Sequence, residues 1–261
     1  MKNTMLAVAA VVAALTAAGC AKKPNGDALA RIKARGEIVV ATEGTWSPWT
    51  FHDEADNLVG FDVEVAQVIA EKLGVTATFA ETEWDGIFAG LDSGRYDITC
   101  NGVEVTDERA EKYDFSDPYG YIHTALIVRA DTTDIADFAD LNGKTTANSL
   151  GSTYAMQAER YGANVQTIDT LEETLQLVEH DRVDATLNAD VSFFDYMRVH
   201  PQKPFKIVAI SDDAAQVAIP LRKGEDTASL REAINAALAE LAADGTLSEI
   251  SERYFKADIT N

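Results

Sequence analysis

One run of residues, Asp97 to Tyr119 (D-I-T-C-N-G-V-E-V-T-D-E-R-A-E-K-Y-D-F-S-D-P-Y), holds the groups best suited to gripping a small charged molecule. Ile98-Thr99-Cys100 reads as a short strand that bends at Asn101-Gly102. Thr106 or Asp107 can cap a short helix that begins with Glu108 and Arg109, and Pro118 cannot continue one. Backbone N–H groups left free at a strand end and at a helix start bind anions, and a guanidinium grips a carboxylate through two parallel hydrogen bonds. Gly102, for its backbone, and Arg109, for its side chain, are the candidate contacts here. The plain alternative for Arg109 is a surface arginine paired with Glu108 or Glu111.

Two other stretches could meet the same ligand. Glu37 to Thr42 is a strand with an apolar centre, followed by the loop Glu43 to Phe51 with Trp46, Trp49 and Phe51. Open α/β sheets bind ligands beyond the carboxyl ends of their strands, so aromatics placed there are candidates. Trp49 and Phe51 are assigned mainly to packing. In Leu150-Gly-Ser-Thr-Tyr154, Gly151 allows close backbone approach, and Ser152 or Thr153 can cap a helix running to about Tyr161. That is a second helix start suited to an anion. No nucleophile–base spacing, no C-x-x-C and no His-x-x-x-His pair occurs, so neither cofactor nor metal is expected. Cys100 has no partner for a disulfide and reads as a small buried apolar residue.

The elements that must position these groups alternate. Helices are expected over 62–73, from Asp85, over 170–179, over 191–199, from Thr227 and from Asp244-Gly245-Thr246. Strands are expected at 75–79, 121–129, 145–149, 165–168, 183–187, 205–209 and 216–221. This is the pattern of α/β domains with largely parallel sheets. Crossings near 129–132 and 212–217 divide the chain into a discontinuous first lobe, 36–129 and 217–261, and an inserted second lobe, 130–216.

A formal charge of -21 over 261 residues excludes a nucleic-acid binder, which needs a basic face. The apolar fraction of 46% is that of a globular chain. Residues 1–19 read as a secretory signal peptide: Lys2, then a short apolar run from Met5 to Ala18. Residues 20–35 are expected to be an N-terminus and linker.

The run G-V-E-V-T-D-E-R-A-E-K-Y-D-F-S-D-P-Y resembles the signature of the extracytoplasmic substrate-binding proteins of polar amino-acid ABC transporters. The likeness extends from about Glu37 to the C-terminus, including the closing D-G-T-L-S-E-I-S-E-R-Y-F. T-E-W-D-G-I-F-A-G-L-D-S-G-R-Y-D and the tail K-A-D-I-T look most like the cystine-binding members. The resemblance implies a two-lobed periplasmic-binding-protein-like fold (type II) with the ligand cleft between the lobes. It implies a monomer that captures a polar amino acid, cystine or similar, and delivers it to the permease subunits of an ABC importer by cleft closure, without catalysis. A-A-G-C resembles a lipoprotein cleavage box, with Ala17 where a leucine is usual. Cys20 would then be lipidated and hold the protein on the outer face of the cell membrane. An ordinary signal peptide and a free cysteine is the alternative.

By the same resemblance Trp46 lies against one face of the ligand and Trp84 against the other, with plain core as the alternative for Trp84. Thr153 and its N–H hold the ligand carboxylate from the side opposite Arg109. The aspartate that pairs with the ligand ammonium in the family falls here on Ala189, with Asp190 one residue later, a turn of ~100° on a helix. Glu104 stands where Ser or Thr is usual, and its carboxylate could take over as the charge partner. Two rival readings use the same residues. One is an amino-acid dehydratase-like enzyme with Glu104 and Asp190 as acid and base. The other is a surface lipoprotein that binds a peptide or protein partner.

Overall fold

The computed structural model describes residues 26–261. The expected signal peptide and Cys20 lie outside the described residues. The first element is α1 (Ala28–Arg35), where a linker was expected. The Asp27 carboxylate accepts a hydrogen bond from the Ala30 N–H at 3.2 Å, and Gly36 ends the helix at φ 79°. Only Ala28 and Ile32 are buried, so the apolar stripe is too thin to mark a helix in the sequence. Packing onto the main core is what makes these residues structural.

β1 (Glu37–Thr42) leads into a small antiparallel ribbon of β2 (Thr45–Trp46), β3 (Thr50–His52) and β4 (Leu58–Val59). Then come α2 (Phe61–Leu73), β5 (Thr76–Glu81), α3 (Trp84–Ser93) and β6 (Ile98–Thr99). β1 lies between β5 and β6 and runs parallel to both. Ile38, Val40 and Ala41 are wholly buried, as expected of a parallel strand covered on both faces. α4 (Asp107–Lys112) is capped by Thr106, whose hydroxyl accepts from the Arg109 N–H at 3.2 Å. β7 (Tyr113–Phe115) follows.

β8 (Gly120–Ile122) and β9 (Thr124–Arg129) were expected as one strand of the first lobe. They break at His123 and enter different sheets. Next are β10 (Thr145–Asn148), α5 (Thr153–Arg160), β11 (Asn164–Thr167), α6 (Leu171–Glu179), β12 (Thr186–Ala189), α7 (Asp190–Val199) and β13 (Phe205–Ile210). β9 is antiparallel to both β12 and β13 and sits between them, so the second sheet begins at Thr124 rather than at 130. β10 is parallel to β11 and bridged to the segment before β12 at Thr146 and Ala185. The other strands of this sheet share one direction, and β9 alone opposes them.

The return also splits, into β14 (Ala215–Val217) and β15 (Pro220–Arg222), before α8 (Ala228–Ala243) and α9 (Thr246–Phe255). β14 pairs with β8 and β15 with β7, both antiparallel. The β8–β14 ribbon therefore connects the lobes, and β7–β15 continues it within the first lobe. They are tied further by the Tyr119 N–H donating to the Val217 carbonyl at 2.9 Å and the Ala218 N–H to that of Val103 at 3.0 Å. An apolar run shows where a strand is but not which sheet it joins, which is why both breaks were invisible in the sequence.

Candidate functional site

The carboxyl ends of strands from both lobes face one cavity of ≈ 500 Å³, counting its mouth to solvent. From the first lobe it is lined by Glu43 and Trp46 after β1, Trp84 at the start of α3, and Gly102, Glu104 and Arg109 after β6. The second lobe contributes Thr153 and Tyr154 at the start of α5, Asp169 after β11 and Asn188 in β12. Strand ends expose free backbone groups and are followed by helix starts, so polar chemistry gathers there in this fold class.

Arg109 is buried, not a surface residue. Its Nη1 donates to the Glu104 carbonyl at 2.9 Å, and its Nη2 crosses the cleft to the Gly151 carbonyl at 3.3 Å. Its Cζ lies 5.2 Å from the Trp84 ring centre and 5.4 Å from that of Phe88, distances at which aromatic faces attract a cation. Glu108 is paired instead with Lys112, at 3.3 Å. Burial pulls the Arg109 pKa down, and the Glu104 carboxylate pushes it back up. With two donors held by carbonyls, the rest of the guanidinium fork is available to an anion in the cavity.

Glu104 is also buried. Burial raises its pKa, while the Thr153 hydroxyl, Arg109 and Tyr154 facing it lower it. The wholly buried Tyr154 hydroxyl faces this carboxylate with at best a loose hydrogen bond. Gly102 forms the floor. At φ 57° it sits in the left-handed region, and an added Cβ would lie 2.6 Å from Cζ3 of Trp46. Trp46 stacks on Trp49 with ring centres 5.4 Å apart, and its Nε1 donates across the cleft to Asn188 Oδ1 at 3.3 Å.

A second acidic group lies apart from Glu104 and Arg109. Asn101 Nδ2 donates to Glu43 Oε2, and Asn101 Oδ1 accepts from the Glu43 N–H at 2.8 Å. Burial pushes the Glu43 carboxyl up to about 7; the Asn101 hydrogen bond opposes this, and the Asp169 charge from the other lobe adds to it. Three carboxyl groups and one guanidinium thus line the cavity, and a ligand cation would favour the ionised form of the two that burial raises.

Of the expected contacts, Trp46, Trp84, Gly102, Glu104, Arg109 and Thr153 line this one cavity. Asp190 does not. As first residue of α7 it turns back to the backbone, where Oδ1 accepts from its neighbour Val191 N–H at 2.8 Å and from His123 N–H at 3.3 Å. The Val191 N–H at the start of α7 and the His123 N–H between β8 and β9 hold this carboxylate. Trp84 also differs from expectation in that its ring carries Arg109. Glu43, Asp169, Asn188 and Tyr154 were missed. Glu43 follows β1 directly and Asp169 lies two residues past β11, so the strand-end rule could have found them; which acidic side chain turns inward is not written in the sequence.

The chain belongs to the bacterial extracellular solute-binding proteins, family 3, whose profile matches residues 38–257. It is 39% identical to the L-cystine-binding protein TcyA of Bacillus subtilis (strain 168), over 100% of both chains. An ancestral arginine-binding protein bound to arginine matches with a TM-score of 0.80 at 36% identity, covering 85% of this chain and 99% of that one. The L-cystine solute receptor of Neisseria gonorrhoeae, unliganded and open, matches with a TM-score of only 0.61 at 39% identity, covering 90% and 100%. The higher identity thus goes with the poorer superposition. Together with the Arg109–Gly151 and Trp46–Asn188 bonds across the cleft, this indicates lobes in a closed arrangement.

Proposed function

We propose that this protein captures a polar amino acid carrying a second positive group, L-cystine or L-arginine, and presents it to an ABC importer. The observation that carries this reading is the buried Arg109 guanidinium beside the buried Glu104 carboxylate, in a cavity lined by both lobes. Arg109 and the start of α5 at Thr153 take the α-carboxylate. Glu104 takes the α-ammonium in place of Asp190. Trp46 covers the middle of the side chain. Glu43 and Asp169 take the second ammonium. A ligand that bridges groups on both lobes binds the closed state better, and that difference drives closure about the β8–β14 ribbon. The Asp190 carboxylate, held by the His123 and Val191 N–H groups, does not line the cavity, which leaves Glu104 without the partner that a dehydratase-like reading would use.

In this reading the protein is an extracytoplasmic monomer, held by lipid on Cys20, with permease subunits as its partners. Mass spectrometry of the membrane-extracted protein checks the anchor: a diacylglycerol-sized adduct on Cys20 is expected, and an unmodified cysteine rejects it. Calorimetry on protein unfolded and refolded to strip carried-over ligand checks the ligand. L-cystine and L-arginine are expected to bind more tightly than L-glutamine. No heat from any amino acid would reject the reading.

A further inference from the structure

Asp62 is fully buried, lies outside the cavity, and touches both the cleft floor and the connection between the lobes. It is the second residue of α2. Its Oδ2 accepts from the Gly102 N–H, and its Oδ1 from the Tyr119 hydroxyl at 2.8 Å. Its own N–H donates to the Trp49 carbonyl at 3.0 Å, beneath the ring that stacks on Trp46. Tyr119 immediately precedes β8, and its N–H is fixed to Val217 of β14. The titratable groups facing Asp62 are Tyr119 and Cys100, both kept neutral by burial, and no cation pairs with Asp62 among the described residues. A carboxylate without a counter-ion in a core is costly, and an amide of the same shape would accept and donate at the same two places.

We propose that Asp62 is a positioning residue for ligand capture: through Gly102 and Tyr119 it joins the cleft floor to the interlobe ribbon, and its negative charge strengthens the cleft's hold on a ligand cation. The ionised form makes a charge-assisted hydrogen bond to Gly102, which fixes the turn carrying Glu104 more firmly than a neutral amide would. It also adds negative potential beneath the cavity without meeting the ligand. Burial raises its carboxyl to about 7 against the pull of its two hydrogen bonds, so the charge is present above neutral pH and lost below it. The inference rests on the proposed amino-acid ligand.

The test is calorimetric binding of L-cystine, with L-arginine as second probe, from pH 6 to pH 8, to wild type, Asp62→Asn and Tyr119→Phe. Glu43 titrates in the same range, so the readout is the difference from wild type. Asp62→Asn is expected to bind about tenfold more weakly than wild type at pH 8 and to change less with pH. Tyr119→Phe removes one bond to the ionised carboxylate, so its pH midpoint is expected to move upward, a shift that a purely structural role would not produce. A folded Asp62→Asn with wild-type affinity and pH profile overturns the proposal. So does an unmoved midpoint in Tyr119→Phe, which decides the matter even if the asparagine variant fails to fold. If wild type binds neither probe, the ligand assignment has failed rather than the role of Asp62. The Tyr119→Phe midpoint is then read from the pH dependence of unfolding without ligand, with the same upward shift expected.

Discussion

Replacing Asp62 by asparagine should make the ligand-free protein more stable at pH 8 while weakening its binding. The folded carboxyl is raised from 3.8 to about 7, and it is fully buried, so solvent does little to screen it. At about 1.4 kcal/mol per pH unit, holding the charge in the folded state costs on the order of 4 kcal/mol above pH 7. The sign follows from proton counts. Between 3.8 and about 7 the folded state keeps a proton that the unfolded state has released, so wild-type stability falls as pH rises through that window and is flat above it. Asparagine has no such slope. Glu43, raised in the same direction, contributes equally to both proteins. From pH 5 to pH 8 wild type should therefore lose ~3 kcal/mol relative to Asp62→Asn, or about 6–12 °C in Tm for a chain of this size. Urea unfolding of both proteins at the two pH values measures it. Parallel changes in the two proteins would refute the reasoning, because they would mean that Asp62 is ionised at ordinary pKa with its charge already satisfied.

Glu104→Gln should weaken L-cystine binding by ~2 kcal/mol or more, since it leaves a ligand ammonium in the cavity without its carboxylate; unchanged affinity by calorimetry would remove Glu104 from the site. Arg109→Lys should cost roughly 100-fold in affinity despite keeping the charge, because an ammonium cannot hold two carbonyls and a carboxylate in one plane as the fork does. Glu43→Gln should weaken L-cystine and L-arginine but leave L-glutamine binding within about threefold, because L-glutamine has no second positive group for Glu43 to hold; equal losses for all three by calorimetry would refute it. Gly102→Ala should lose ~1–3 kcal/mol of stability to the left-handed backbone and must displace Trp46, which near-ultraviolet circular dichroism would report.

Much of the site was legible because certain residue types have only a few places to go. A capped turn with Thr106 three residues before Arg109, a glycine where a strand ends, and an aromatic beyond a buried strand each carry a local reason that does not depend on the rest of the chain. The alternation of strands and helices settled the α/β class for the same reason, since hydrophobic period is a local property. The tertiary structure decided everything that depends on which partner a group meets. It split 121–129 at His123 because β8 and β9 find different sheets. It turned Ala28 to Arg35, which reads as linker, into α1 by offering Ile32 a core, and it drew Asp190 to the N–H groups of His123 and Val191 instead of the cleft. It brought Glu43 and Asp169 from opposite lobes within reach of each other's charge, across more than a hundred residues of chain. Asp62 reads in the sequence as one more acidic residue in the first turn of a helix. Only its full burial, between the floor of the cleft and the ribbon that joins the lobes, gives its charge a consequence.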